Sequence, residues 1–249
     1  MHALINYGLK QYKANFSEPL DISIPLAADG KGVNAFHAPP FETSPVESGS
    51  FTGSIKAGGY LNFLNVKLNP HGNGTHTECV GHIAEGFTIN QCLKKFLFIA
   101  ELISVFPVKQ ENGDELILKE QIEKSLANNE PEAVIIRTLP NDALKLKKNY
   151  SGKNPPYLHA DAAAWLVEKN VKHLLVDLPS VDREADGEKL LFHKTFWQFP
   201  NRIRKDATIT ELIFVPNEIT DGKYLANLQI ASFEMDASPS KPVLYKLVE

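Results

Sequence analysis

Six short runs of the chain, residues 99–106, 133–137, 173–177, 209–215, 224–230 and 242–247, are apolar, rich in β-branched side chains and bounded by turn residues. Runs of this kind and length form buried strands. Only two stretches carry a helical period. Residues 118–127 space Leu118, Ile122 and Leu126 at i, i+4 and i+8, the pattern of one apolar helix face. Residues 160–169 put Ala163, Leu166 and Val167 on one face and Trp165 off it, with Asn170 as the closing residue. Strands mixed with few helices predict a mixed α/β class. A chain of 249 residues can bury a sizeable core. No repeat, low-complexity tract or linker divides it, so residues 1–249 are expected to form a single domain.

Residues 27–60 are rich in Gly, Pro and Ser and read as a long loop with room for a hairpin. Loops of that length in a compact domain are usually functional. The net charge of -4 argues against nucleic acid or an acidic membrane as partner, since both call for a basic surface. No run of about 18 apolar residues could span a bilayer. The first 16 residues are interrupted by Asn6, Lys10, Gln11 and Lys13 and do not read as a secretory signal. A cytoplasmic location follows as the expectation. It agrees with two cysteines, Cys79 and Cys92, whose spacing suits neither a disulfide framework nor a zinc knuckle. Cys79 should point opposite to Glu78 and pack.

Chemistry concentrates in residues 71–82, His-Gly-Asn-Gly-Thr-His-Thr-Glu-Cys-Val-Gly-His. Three of the eight histidines, His71, His76 and His82, fall in these twelve residues, with Glu78 among them. Imidazole and carboxylate are the ligands that a borderline divalent ion accepts. In an extended chain His76 and Glu78 point to the same face, so both could reach one ion. A tight turn at Asn73-Gly74 would fold His71 back beside His76. His82, four residues past Glu78, would stand just behind the ion, and Thr75 and Thr77 would face away and orient the ligands.

These residues resemble the signature of the cyclase family that contains bacterial kynurenine formamidases and isatin hydrolases, whose usual pattern is His-x-Gly-Thr-His-x-Asp-x-Pro-x-His. Here one residue is inserted after His71, Glu78 stands for the aspartate and Val80 for the proline. The resemblance continues through Ala133-Val-Ile-Ile-Arg-Thr138, the helix and its end at 162–171, Val176-Asp-Leu-Pro-Ser-Val-Asp182, His193, Ile209-Thr-Glu211-Leu and Asp236-Ala-Ser-Pro239. It implies a three-layer β/β/α swivelling-domain fold, a homodimer or larger homo-oligomer, and one or two divalent metals, Zn²⁺ or Mn²⁺. It further implies that His71, His76 and Glu78 hold the first ion. His193 and Glu211 complete that site or hold a second ion. His82 is then the general acid/base, with Glu211 the other candidate proton carrier.

The implied activity is metal-dependent hydrolysis of a small amide, either an aryl formamide or a cyclic amide. A non-catalytic relative that binds a small molecule or protein, and a metal-dependent lyase, would share the same residues. A serine hydrolase is disfavoured, since no Gly-x-Ser-x-Gly elbow occurs. Asp177, Ser180 and Asp182 read as turn-shaping residues, His37 as a solvated loop histidine, Glu218 as an exposed rival to Glu211, and Trp165 and Trp197 as core aromatics. His2, His159 and His173 carry no assigned role.

Overall fold

The computed structural model describes residues 1–127 and 129–249. Its centre is a mixed sheet with the order His2–Tyr7, Lys10–Asn15, Ala237–Val248, Gly222–Ile230, Leu97–Val105, Ala133–Thr138, His173–Val176, Thr208–Glu211, His76–Glu78. Leu97–Val105, Ala133–Thr138, His173–Val176 and Thr208–Glu211 run parallel, and the other neighbours pair antiparallel. The three-residue strand His76–Glu78 also pairs with Ala237–Pro239 at the start of the long C-terminal strand. This second pairing closes seven of the strands into a ring.

Strand alternation divides the apolar residues between two cores. Val134, Ile136, Leu174, Val176 and Ile209 face the helices. Ala133, Ile135 and Leu175 face the inside of the ring, where they meet Phe98, Leu102, Tyr224, Leu228 and Leu244. The central strands are therefore buried on both sides, which is why they read as continuous apolar runs. Helices outside, parallel strands in the middle and the returning antiparallel strands beyond give the mixed α/β, three-layer arrangement.

Lys119–Leu126 and Ala160–Glu168 are helices at the expected places. Ile122 and Leu126 are buried, and Asn170 ends the second helix with φ 55. Trp165 is a core aromatic as expected, but it shares the covered face instead of lying off it: it is buried with Ala162, Ala163 and Leu166, while Val167 is only half-buried. The helix contacts both the sheet and a third helix, Leu191–Phe196, so its covered face is wider than one stripe. Phe192 and Phe196 of that third helix are fully buried at i, i+4, each contributing about 1.5–3 kcal/mol of burial. Trp197 follows in the same core, and its indole N–H donates to the Ala207 carbonyl at 3.0 Å.

The run at 209–215 is a strand only through Glu211. Leu212 takes φ 52, a left-handed conformation that costs a leucine roughly 1–2 kcal/mol. Beyond it the chain bonds instead to Leu178, Val176 and Ile22. Arg137 holds the next loop by donating to the carbonyls of Pro216 and Ile219. Within the expected loop, Glu42–Pro45 pairs with Leu64–Lys67 and Glu47–Ser48 with Phe51–Thr52, forming a β arm that extends past residue 60. The arm leaves Tyr60, Phe63, Leu64 and Val66 exposed. The N-terminal hairpin His2–Tyr7 and Lys10–Asn15 is an addition with no counterpart among the runs read from the sequence.

Candidate metal centre

The strand His76–Glu78 is held on both sides, with Glu211 directly opposite His76 on one neighbour and Ala237 opposite Glu78 on the other. Cross-strand partners share a face. His76, Glu78 and Glu211 therefore converge on the helix side, at the end of the core that contains Ile209. Thr77 turns to the other face and bonds to Thr210 Oγ1 at 2.8 Å. The two threonines do not orient the ligands as expected. Thr75 Oγ1 donates to the Leu212 carbonyl and accepts from Ile24 N, so both tie neighbouring segments together.

His71 arrives by a different route from a tight turn at Asn73-Gly74. Residues Pro70–Asn73 form a single helical turn, capped by the Asn69 side chain accepting from Gly72 N. Gly74 then runs extended. The helical turn brings the His71 ring to 5.2 Å from His76 and 4.5 Å from His82. His71 Nδ1 lies 3.3 Å from Glu78 Oε2, and its Nε2 lies 2.8 Å from Asp236 Oδ2.

His193 enters from the helix layer. Asp182 receives the backbone N–H groups of Phe192 and His193 at 2.9 and 3.1 Å, fixing the start of Leu191–Phe196. Its carboxylate also accepts from His193 Nδ1 at 2.6 Å. An ionised carboxylate only accepts, so Nδ1 carries a hydrogen toward Asp182 and Nε2, protonated without a metal, donates to Glu78 Oε1 at 3.0 Å; loss of that second hydrogen leaves a lone pair directed at the cluster. His76 is set the same way, with Nδ1 on the Gly74 carbonyl at 3.0 Å and Nε2 turned 3.3 Å from Glu211 Oε2. Glu211 Oε1 accepts from Val181 N at 2.9 Å.

Two atoms test whether this cluster fits a metal ion. His76 Nε2 and Glu78 Oε2 are buried and have no hydrogen-bond partner. A buried polar atom left so costs about 1–3 kcal/mol. Their residues form with His71 a group whose ligand atoms lie within 4.8 Å of one another. Lone pairs and carboxylate oxygens facing each other out of hydrogen-bond alignment are what a shared cation satisfies. Glu78, His82 and His193 form a second such set, and His71, His82 and Asp236 a third. The donor set suits a borderline divalent ion.

Electrostatics agree. Burial lowers the His71 and His193 pKa values. At His71 the hydrogen bond to Asp236 and the charge of Glu78 overcome this, and at His193 the charge of Glu78 and the Asp182 bond do, so both rise to about 10. Burial raises Glu78, but the facing charges of His82 and His193 hold it well below the usual carboxylate range. The cluster thus collects positive charge.

The structure brings together every residue expected there: His71, His76, Glu78, His82, His193 and Glu211. His82 stands at the open side, its Nδ1 3.2 Å from Asp236 and 3.8 Å from Glu78. His71, His82 and Asp236 are 23%, 30% and 29% exposed at their side chains, while His76 and Glu78 are sealed. Asp236 and Asp182 were missed as site residues. Asp236 lies directly before the segment that closes the ring, and Asp182 eleven residues before His193; neither spacing is a local motif. Glu218 is exposed, and His173 is stacked on Phe98, where burial lowers it to about 3. Cys79 faces the ring interior, opposite to Glu78.

A histidine–carboxylate centre set between the sheet and its helices is the class that fold and site define. Residues 20–183 match the profile of the family described as Putative cyclase, and the chain belongs to that family. It is 28% identical to the kynurenine formamidase of Bacillus thuringiensis (strain Al Hakam) over 233 residues, covering 92% of this chain and 97% of that protein. It is 36% identical to the kynurenine formamidase of Bacillus cereus (strain ATCC 10987) over 90 residues, a match covering 36% of this chain and 39% of that protein. Among solved structures, isatin hydrolase A from Ralstonia solanacearum superposes with a TM-score of 0.68 at 16% identity, covering 93% of this chain and 92% of that one. A Bacillus stearothermophilus protein described as a predicted metal-dependent hydrolase gives 0.65 at 18%, covering 92% and 98%. At these identities the structures speak for the fold. None of the described helices is long and apolar enough to cross a membrane.

Proposed function

We propose that the chain is a metal-dependent hydrolase of a small amide, an aryl formamide or a cyclic amide. The observation that carries this is the pair of buried, unpartnered atoms His76 Nε2 and Glu78 Oε2 inside the histidine–carboxylate cluster. The names of the similar proteins support the substrate class. His71, His76, Glu78, His193 and Glu211 would hold one or two ions, Zn²⁺ or Mn²⁺, with Asp236 as a further ligand on the open side. A bound divalent ion supplies an acidic water and polarises a carbonyl.

The protein side of the reaction rests on His82. Its Nδ1 is directed to Asp236. With the hydrogen there, Nε2 is free to take a proton from water and return it to the leaving nitrogen. Its partial exposure lets it exchange that proton with solvent. Asp182 keeps His193 in one tautomer, and Asp236 steadies both His71 and His82.

A homodimer or larger assembly in the cytoplasm completes the reading. The exposed Tyr60, Phe63, Leu64 and Val66 of the arm support the assembly, because a two-stranded ribbon is marginal without something to pack on. The decisive experiment is elemental analysis of protein purified without chelator, followed by hydrolysis assays on N-formyl aryl amines and isatin. Stoichiometric metal with chelator-sensitive hydrolysis is expected. Protein that neither carries nor takes up Zn²⁺ or Mn²⁺ overturns the reading.

A further inference from the structure

The parallel strands Leu97–Val105, Ala133–Thr138, His173–Val176 and Thr208–Glu211 all start at one end of the sheet. The residues just before each start therefore gather there. They are Lys94 and Lys95, Glu132, Lys172, and Lys205 with Asp206. With Phe87 and His173 they line a cavity of about 520 Å³, a size that suits a small ligand. The metal centre lies toward the other end. Glu211 is the last residue of its strand, three positions beyond Thr208, about 10 Å away at the rise of a strand.

Charge is uneven here. The chain carries a net charge of -4, yet the cavity sets four lysines against two carboxylates. Lys95 bonds to Glu132 and Lys172 to Asp206, each at 2.5 Å, which engages both carboxylates. Lys94 and Lys205 form no ion pair among the described residues. Lys94 Nζ donates to the Asn90 carbonyl at 2.8 Å, and Lys205 Nζ lies 5.5 Å from the centre of the Phe87 ring. Two cations are left over on one concave surface, the electrostatic complement of a doubly charged anion.

His173 gives a second, independent indication. It is 4% exposed, stacked on Phe98 with ring centroids 4.2 Å apart, and its Nδ1 meets Thr208 Oγ1 at 2.8 Å. Among the described residues nothing bonds to Nε2, although the residue lines the cavity. Burial, reinforced by Lys95, keeps the imidazole neutral, so it carries one hydrogen. The Thr208 hydroxyl can donate to Nδ1 and leave that hydrogen on Nε2. A packed ring bonded on one side only is a fixed donor with its other side open, and an oxyanion satisfies it.

We propose that this cavity binds a small dianionic oxyanion, a phosphate group or a dicarboxylate, held by Lys94, Lys205 and His173 Nε2 at a site separate from the metal centre. Phosphate and dicarboxylate share the chemistry that the cavity recognises: two negative charges carried on oxygens that only accept. The binding is independent of the hydrolase reading, since no residue of the metal cluster lines the cavity.

The test titrates isotope-labelled full-length protein with inorganic phosphate, and in parallel with succinate, and follows the backbone amides by NMR. Saturable shifts are expected at Phe87, Lys172 and His173, with a dissociation constant on the order of 1 mM or tighter. They should be alike in the protein as purified and after chelation, and added sodium chloride should weaken them. Lys205→Met should lower the affinity about fivefold, the upper worth of one exposed ion pair. Adding Lys94→Met should bring the loss to about twenty-fivefold. His173→Phe keeps a ring on Phe98 and should lower the affinity about tenfold. Lys148→Met, at a lysine outside the cavity, should change nothing. Saturation by phosphate alone assigns the site to phosphate groups, and by succinate alone to dicarboxylates; either supports the proposal. No saturation by about 10 mM of either anion overturns it. So do shifts confined to His71, His82 and Asp236, or a Lys94→Met/Lys205→Met protein that binds as the parent does.

Discussion

Replacing Asp182 by asparagine changes no ligand and almost no volume, yet it should weaken the metal centre. The carboxylate accepts three hydrogens, from Phe192 N, His193 N and His193 Nδ1. An amide offers only one accepting atom in place of two. With its oxygen toward His193, its NH₂ opposes Phe192 N–H; with its NH₂ toward His193, it donates to Nδ1 and moves the ring hydrogen to Nε2, the atom facing Glu78. The first orientation keeps the tautomer but removes the negative charge that makes Nε2 basic. The second removes the lone pair. Partners of metal-bound histidines contribute about 10–100-fold in affinity, or about 1.4–2.7 kcal/mol at 1.36 kcal/mol per decade. The substitution also takes away one of the groups that raise His193, so protons compete less well for it. The loss should therefore be widest at high pH, where neither protein holds that proton. Chelator competition with Zn²⁺ across a pH series measures it, with unfolding of the metal-free proteins as a control for the helix start. An affinity within about twofold of the parent at every pH, in a folded variant, would falsify the assignment of His193 as a ligand oriented by Asp182.

Three further outcomes follow from the same geometry. His82→Ala should keep nearly all the metal and lower turnover by about 10²–10⁴-fold; loss of the metal instead would make His82 a ligand. With His71 and His193 both near 10 before binding, metal uptake at neutral pH must release their protons. Affinity should then rise with pH by up to about tenfold per unit for each proton released, which calorimetry in buffers of different ionisation enthalpy detects; uptake without proton release would show that neither histidine is a ligand that carries a second proton before binding. Lys145→Met should destabilise the fold by about 3–5 kcal/mol. Lys145 Nζ is the cation on the fully buried Asp177, at 2.7 Å. Adding Asp177→Asn should recover part of the loss in urea unfolding, and a neutral effect of Lys145→Met would show that the pair is dispensable.

The parallel strands were legible because burial on both faces leaves no polar alternation to confuse the period. His76 and Glu78 were legible for a related reason: in an extended strand the i, i+2 rule fixes their face without knowledge of any neighbour. His71 was placed correctly for the wrong cause, since Pro at the first position of a helical turn, after Asn69 as cap, was the stronger signal than Asn-Gly. The ring closure was not legible, because it joins His76–Glu78 to strands more than a hundred residues away. Asp236 went unassigned with it. The early end of the 208–211 strand was hidden too, because Leu212 adopts a conformation its residue type disfavours, held by the bond from Thr75 to its carbonyl.

The clasp that closes the ring also sets a timetable for synthesis. The histidine-rich segment leaves the ribosome long before Glu211 and Ala237–Pro239, the strands that must flank it. At about 5–20 residues per second, that interval is on the order of ten to thirty seconds. Throughout it, His71, His76, Glu78 and His82 are a loose peptide with no helix layer over them and no second carboxylate beside them. Whatever ion they meet then is bound by a chain that has not yet acquired the shape to choose. Any selection among metals would begin only once residues 237–239 arrive, so a segment made late is the one that would turn a set of ligands into a site.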